Sequence, residues 1–369
     1  IISNIKSCRY KMSDYLFSIV EIIVGIFLLF MGGEFFIQGS VALSLILGIP
    51  QIVIGLTVVA LGTSSPELLV SLNSVFKGSD SLAASNVVGS NIFNILVVLG
   101  ISSLITPLKV KSRIVRRDVP LLIAISCSVW AMSSTGTLTW QAGIFLLFCL
   151  LINTIWEINT INEKDDDIKT AEPEINDFSL SNNLVSTITK LVFGIILLSF
   201  GANVLVSGSQ DLARTLGIKE TIIGLTIVAT GTSLPELVTS IVAAFKGKTD
   251  LAIGNVIGSN LLNQLLILGS CTLFSGLGGL SISTDLIRTD IPIMVLTTFA
   301  CMPIFWTKGK ITRFEGFILL NIYIFYVLDK ILLLSQFNFI MEFRFFIIVY
   351  FLLIFISLFL KKSVRLIKN

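Results

Sequence analysis

The sequence predicts an all-α integral membrane protein built from two copies of one helical unit inserted in opposite senses. Three observations predict it. Of 369 residues, 54% are apolar, enough for up to about ten bilayer crossings at roughly 20 residues each. Charged residues make up 13%, about half the share of a soluble domain and too few to cover a water-soluble protein of this size. Finally, Gly55 to Gly100 and Gly224 to Gly269 align without a gap and are identical at 26 of 46 positions, the signature of an internal repeat.

Composition also excludes several classes. A net charge of +3, with basic residues scattered among apolar runs, does not fit a reader of nucleic acid. The cysteines Cys8, Cys127, Cys149, Cys271 and Cys301 have no Cys-x-x-Cys spacing, and the chain contains no histidine. Disulfide scaffolds, zinc sites and haem sites therefore lack their usual ligands. No prosthetic group is expected, and any bound metal must be held by oxygen.

The first apolar run extends from about Leu16 to Ile37, too long for the core of a cleavable signal, and reads as a retained span. Met12 offers an alternative start to Ile1, which would leave Lys6, Arg9 and Lys11 upstream of initiation. Ten more apolar stretches follow at 41–76, 82–106, 119–134, 138–156, 187–207, 218–245, 250–274, 291–307, 313–334 and 343–360, giving eleven candidate spans. Between them lies one long polar stretch, 157–183, whose acidic runs at Glu163 to Asp167 and Glu172 to Glu174 bury too little apolar surface to fold. The expected organisation is a first repeat at 12–156, a cytoplasmic linker at 157–186, a second repeat at 187–334, and an added span with a basic tail at 335–369.

The repeat extends beyond its central motif. The same offset aligns Gly25, Gly32, Gly39 and Gly48 with Gly194, Gly201, Gly208 and Gly217, and a three-residue insertion carries Asp118-Val119-Pro120 onto Asp290-Ile291-Pro292. Five crossings separate equivalent points, and five is odd, so the copies enter the membrane from opposite sides around a pseudo-two-fold axis in its plane. Positive charge agrees with one orientation: an outside start places sixteen Lys and Arg on the inner face against nine on the outer. That orientation makes the linker cytoplasmic.

The chemistry centres on Glu67 and Glu236. A carboxylate inside an apolar span costs at least a few kcal/mol, and neither repeat core has a Lys or Arg near its Glu to offset that cost. Two acids at symmetric positions are explained by a shared cation. In Gly62-Thr63-Ser64-Ser65-Pro66-Glu67 and Gly231-Thr232-Ser233-Leu234-Pro235-Glu236, proline breaks the helix just ahead of the acid. The break is expected to release backbone carbonyls around Ala60 to Thr63 and Ala229 to Thr232, which must then line a cavity. With the hydroxyls of Thr63, Ser64, Thr232 and Ser233 they supply hard oxygen ligands.

Facing these are Gly89-Ser90-Asn91-Ile92-Phe93-Asn94 and Gly258-Ser259-Asn260-Leu261-Leu262-Asn263. Their small residues permit close helix approach, and the asparagines bring amide oxygens into a dry interior. Ser90, Asn94, Ser259 and Asn263 are placed in or beside the site, while Asn91 and Asn260 are read equally well as packing contacts. Asp118 and Asp290, just before Pro120 and Pro292, are expected to cap helices. Glu34 aligns with Asn203 and is expected to be interfacial.

The paired GTSxPE and GSNxxN motifs, in two copies spanning nearly the whole chain, resemble those of the calcium/cation antiporter superfamily, specifically the bacterial sodium/calcium exchanger-like proteins. The resemblance implies ten core helices in two five-helix repeats of a multi-pass bacterial inner-membrane protein. It also implies ion ligands at Glu67 and Glu236, hydroxyls and carbonyls at Ala60, Thr63, Ser64, Ala229, Thr232 and Ser233, and contributions from Ser90, Asn94, Ser259 and Asn263. Some members carry aspartate where this chain has Asn263, so the charge of its site differs from theirs. The run at 343–360 exceeds that core and reads as an eleventh span.

Two carboxylates give an empty pocket a charge near −2, costly to carry across a low-dielectric interior. One divalent ion, or two or more monovalent ions or protons, neutralises it, and competition for one site then produces exchange. The expected activity is Ca²⁺ exchange for Na⁺ or H⁺ by alternating access. Ca²⁺ is favoured over Mg²⁺ because a cage of carbonyls, hydroxyls and carboxylates suits a largely dehydrated ion, whereas Mg²⁺ keeps several waters. A monovalent antiporter such as a Na⁺/H⁺ exchanger is the alternative. A channel fits less well, and an intramembrane aspartyl protease would need two facing aspartates, so no enzyme is expected. The expected partners are inorganic cations and the bilayer, with no nucleic acid and no obligate protein partner.

Overall fold

The computed structural model describes residues 2–161, 184–216, 227, 229–306 and 309–334. Most of the predicted linker, the start of the span at 218–245 and the whole of 343–360 lie outside the described residues.

Chain order begins with α1 (Ile2–Leu47), α2 (Gln51–Ile54), a π-helical segment Gly55–Val59, α3 (Ala60–Thr63), α4 (Ser65–Phe76) and α5 (Asp80–Phe93). A second π-helical segment, Asn94–Val98, leads into α6 (Leu99–Ile105), strand β1 (Leu108–Lys109), a π-helical turn Ile114–Asp118, α7 (Val119–Ser133), β2 (Thr137–Leu138) and α8 (Trp140–Ile161). The second half repeats the order: α9 (Leu184–Thr215), α10 (Ala229–Gly231), α11 (Leu234–Phe245), α12 (Thr249–Leu262), a π-helical segment Asn263–Leu268 and α13 (Gly269–Phe274). It closes with β3 (Leu280–Ser281), the π-helical turn Leu286–Asp290, α14 (Ile291–Trp306), β4 (Lys310–Ile311) and α15 (Arg313–Leu334). Two of these wide turns recur at equivalent positions, beginning at Asn94 and Asn263 and ending at Asp118 and Asp290. Such turns are frequent at functional sites.

One predicted boundary is corrected. The sequence suggested a break between spans near residues 38–40, but α1 runs unbroken to Leu47. The Ser40 and Ser44 hydroxyls donate to the carbonyls of Phe36 and Val41 at 2.8 Å each, so these polar residues are absorbed by their own helix. The helix stops where Gly48 takes a left-handed φ of +66° and the Ile49 amide reaches back to the Ser44 carbonyl at 3.0 Å. Pro50 follows, closing a glycine cap of Schellman type.

Among the described residues, seven helices are long and apolar enough to cross a membrane, or eight if Gln51–Thr63 and Ser65–Phe76, bent by 45° at Ser64, count as one span. α7 and α11, with 15 and 12 residues, are shorter than a full crossing, and the chain just before α10 is outside the described set.

The long helices α1 and α9 pack antiparallel through glycines spaced by seven. Gly25, Gly32 and Gly39 lie on Leu205, Leu198 and Leu191, while Gly194 and Gly201 lie on Phe36 and Leu29. A methyl added at Gly32 would stand 2.7 Å from the Leu198 amide nitrogen, so only glycine permits this approach. At the centre, α5 and α6 and their counterparts α12 and α13 are largely buried. α1, α8 and α9 keep side chains such as Phe27, Phe148 and Phe200 on the exterior, as helices bordered by lipid do.

Short β-ladders join the halves. β1 pairs antiparallel with β4 through Leu108 and Ile311, and β2 with β3 through Leu138 and Leu280. β1 and β3 are equivalent in the two repeats, as are β2 and β4, so each ladder is the other with the repeats exchanged. Residues 320–334 belong to a second compact unit, in which the Tyr323 and Tyr326 rings lie 6.1 Å apart and Lys330 sits over Tyr326.

Candidate functional site

Each bend creates the same local chemistry. Ser64 and Ser233 leave helical geometry, with ψ near zero (4° and 7°), and Pro66 and Pro235 follow in the first turn of the next helix. Proline has no N–H, so Gly62 and Gly231, four residues before, lose the amide that would have bonded their carbonyls. The sequence placed this loss around Ala60 to Thr63 and Ala229 to Thr232, ranges that include Gly62 and Gly231. The Ala60 carbonyl accepts the Ser64 amide at 2.9 Å and faces the Thr63 hydroxyl at 3.3 Å. Helical hydrogen bonding thus persists up to the Ser64 amide, and within the predicted range the loss falls at Gly62. On the other side Ala229 opens α10, and the Thr230 carbonyl accepts the Ser233 amide at 3.2 Å.

Across the bends the two halves meet. The Ser64 hydroxyl donates to Glu236 Oε1 at 2.8 Å and the Ser233 hydroxyl to Glu67 Oε1 at 3.1 Å, so each serine bonds the acid of the other repeat. Both glutamates are fully buried. Among the described residues neither is ion-paired. Their second oxygens, Glu67 Oε2 and Glu236 Oε2, have no hydrogen-bond partner.

The facing helices add further oxygens in the same condition. Ser90 Oγ, Ser259 Oγ, Asn94 Oδ1 and both amide atoms of Asn263 are buried without a hydrogen-bond partner. Asn94 uses its Nδ2 to reach Asn260 Oδ1 at 3.1 Å, and Asn260 in turn donates to the Asn91 carbonyl at 3.2 Å. Asn91 donates to the Met294 sulfur at 3.5 Å. Asn91 and Asn260 thus spend their amide N–H groups on helix contacts. A buried polar atom left unpaired costs about 1–3 kcal/mol, and the oxygens among these atoms are acceptors of the kind that a cation satisfies. No group of three or more His, Cys, Asp or Glu occurs among the described residues, so such a cation would be held mainly by neutral oxygens and two carboxylates.

Sequence reasoning missed two residues at this centre, Asn86 and Asn255. Asn255 accepts the Thr63 hydroxyl at 3.0 Å and donates to Ser240 Oγ at 3.0 Å and to the Glu236 carbonyl at 3.3 Å. Asn86 accepts the Thr232 hydroxyl at 3.2 Å and donates to Ser71 Oγ at 3.0 Å and to the Glu67 carbonyl at 3.5 Å. The signal was present: Asn86, Ser90 and Asn94, like Asn255, Ser259 and Asn263, recur every four residues on one helix face. The reading stopped one turn short.

The remaining acids are placed differently. The predicted cap at Asp118 is corrected: Asp118 keeps helical geometry (φ −72°, ψ −40°) and makes no capping bond. The π-helical turn Ile114–Asp118 starts the helix before it, so no open amides remain there to cap. Asp118 is instead buried 3.5 Å from Arg117, which with Arg113 also engages Glu157. Asp290 likewise ends a π-helical turn. Glu34 is half-exposed on α1 and receives Lys246 Nζ and Gln38 Nε2, each at 2.6 Å.

Comparison with known proteins agrees with this architecture. The family model described as sodium/calcium exchanger protein matches residues 17–158 and 187–332. CaxA of Alkalimonas amylolytica is 35% identical over 315 residues, covering 83% of this chain and 96% of that protein. The sodium/calcium exchanger MaX1 of Methanosarcina acetivorans is 30% identical over 336 residues, covering 82% and 95%. A solved structure of the sodium-calcium exchanger NCX_Mj, soaked with Na⁺ and Sr²⁺, superposes with a TM-score of 0.70 at 29% identity, covering 84% of this chain and 97% of that one. The chain is a multi-pass membrane protein that belongs to the sodium/calcium exchanger family, a family of transporters rather than enzymes.

Proposed function

We propose that the protein exchanges Ca²⁺ for Na⁺ across the membrane through one site built around Glu67 and Glu236. The observation that carries the reading is the reciprocal bonding of Ser64 to Glu236 and Ser233 to Glu67, beside a lining of unpaired buried oxygens. Thr63, Ser64, Thr232 and Ser233, with Ser90, Asn94, Ser259 and Asn263, would contribute neutral oxygens. Backbone carbonyls near the bends, at Ala60 to Thr63 and Ala229 to Thr232, complete the set.

Charge accounts for the coupling. Two carboxylates without a cation are costly inside a low-dielectric interior, so the pocket changes its exposure only when loaded with one Ca²⁺ or with Na⁺ ions. The halves are read as inverted in the membrane, a reading supported by the antiparallel α1 and α9 and by the exchanged β-ladders. In that arrangement one half takes the conformation of the other as access switches sides. The basic residues between Lys109 and Arg117 then face the cytoplasm, as does the linker.

A Na⁺/H⁺ exchanger would use the same acids. Everted vesicles loaded with Na⁺ distinguish the two: ⁴⁵Ca²⁺ uptake that collapses when choline replaces internal Na⁺ supports Ca²⁺/Na⁺ exchange. Na⁺ flux indifferent to Ca²⁺ and driven by a pH gradient overturns it. Glu67→Gln or Glu236→Gln should each abolish Ca²⁺ uptake, and normal uptake by both variants would remove these acids from the site.

A further inference from the structure

We infer that Asn86 and Asn255 are positioning residues that aim the Thr232 and Thr63 oxygens at the transported ion and fasten each repeat's acid to the other repeat's threonine. This deepens the site reading above and rests on it. The argument begins with the amide orientation. A backbone carbonyl can only accept, so the amide atom facing the Glu236 carbonyl at 3.3 Å must be Asn255 Nδ2, and likewise Asn86 Nδ2 faces the Glu67 carbonyl at 3.5 Å. Ser240 and Ser71, each at 3.0 Å, engage the same nitrogens. Both Oδ1 atoms therefore point the other way, toward the threonine hydroxyls of the opposite repeat at 3.0 and 3.2 Å.

A hydroxyl has one proton and two acceptor lone pairs. Once its proton is given to the asparagine, the threonine oxygen can only accept, and it presents electron density to a cation. The Thr63 hydroxyl also faces the Ala60 carbonyl at 3.3 Å, so Asn255 at 3.0 Å is the nearer acceptor. Were the threonine proton to point into the pocket instead, it would repel the ion. The asparagine acceptor gives that proton a place outside the pocket when the carboxylate is engaged by a cation. Asn255 is fully buried, where such a bond is stronger than in water. The two clamps cross: repeat 2's asparagine holds repeat 1's threonine, and repeat 1's holds repeat 2's.

The test is a double-mutant cycle on purified protein in proteoliposomes, with ⁴⁵Ca²⁺ uptake driven by a Na⁺ gradient and KM separated from maximal rate. Asn255→Ala and the near-isosteric Thr63→Val should each raise the Ca²⁺ KM by about three- to tenfold, the worth of one hydrogen-bonding contact. The double variant should be no worse than the poorer single one, because Asn255 acts through Thr63. Thr63→Ser, which keeps the hydroxyl, should restore the wild-type KM. A purely structural asparagine would lower melting temperature and maximal rate while leaving KM alone, and that result overturns the inference, as do effects that multiply in the double variant. Asn86→Ala with Thr232→Val gives the same cycle at the second clamp, and Asn255→Ser replaces Asn255→Ala if the latter does not fold. Wild-type uptake in Glu67→Gln and Glu236→Gln would instead defeat the site itself, so the two failures are told apart.

Discussion

The two repeats are nearly interchangeable at their centres and quite different at their edges. Around the acids the serine and asparagine contacts have counterparts: Ser64 on Glu236 answers Ser233 on Glu67, and Asn255 on Thr63 answers Asn86 on Thr232. Away from the centre the correspondence fails. Glu34 pairs with Lys246, whereas the equivalent positions are Asn203 and Lys77, which cannot form an ion pair. Arg113 and Arg117 share Glu157, but Asp285 and Thr289 stand where those arginines would be. Gln264, bonded to Ser126 at 3.0 Å, aligns with Ile95. The matched residues surround the acids, whereas each of these other pairs includes a position whose residue differs between the repeats.

The largest test of this comparison is at the centre. Glu67→Gln and Glu236→Gln should each reduce Na⁺-driven ⁴⁵Ca²⁺ uptake by more than about a hundredfold, the worth of a removed buried charge contact of roughly 3 kcal/mol, and to similar extents. A variant that spares one acid but not the other would break the symmetry drawn here.

Next comes an edge difference read as stability. Glu157→Ala leaves Arg113 and Arg117 without their shared buried carboxylate, and losing one partner of a buried pair costs about 3–5 kcal/mol. Denaturant unfolding in detergent should show that loss, while Thr289→Ala, at the repeat 2 position equivalent to Arg117, should change stability by no more than about 0.5 kcal/mol. Gly258→Ala tests close packing: an added methyl would lie 2.5 Å from the Leu56 carbonyl oxygen and 2.8 Å from Ala60 Cβ. It should destabilise by about 1–3 kcal/mol, read by the same unfolding curve.

The smallest expected effect belongs to Glu34 and Lys246. The pair is partly exposed and worth up to about 1 kcal/mol. Lys246→Gln should change the transport rate by no more than about fivefold, converting that energy, and the effect should shrink at high salt. Lys77→Gln should leave the rate unchanged, since its counterpart on α9 is Asn203. Equal effects of the two lysine variants would erase this edge difference.

Much of this was legible before any coordinates. Apolar periodicity and the scarcity of charge announced a membrane protein. The two glutamates behind prolines identified the bends, because a proline's missing N–H acts locally and can be read from one residue. Where reasoning went astray, the cause was backbone geometry or a distant contact. The stretch at 38–40 looked like a break, but the Ser40 hydroxyl bonds back into α1. Asp118 looked like a cap, yet the π-helical turn before it had already used the open amides. Asn86 and Asn255 carried a helical spacing signal but gained meaning only when their threonine partners arrived from more than 140 positions away.

By itself the sequence determined the membrane class, the duplication and the identity of the buried acids, since each follows from composition, self-similarity or the chemistry of single residues. The tertiary structure decided which side chain answers which: that serines bond the opposite repeat's acid, that Asp118 meets Arg117, and that Glu34 meets Lys246. Those pairings depend on helix register and crossing geometry, set by close glycine contacts such as Gly32 on Leu198 and Gly258 on Leu56. Such contacts join residues far apart along the chain, and no local pattern specifies them.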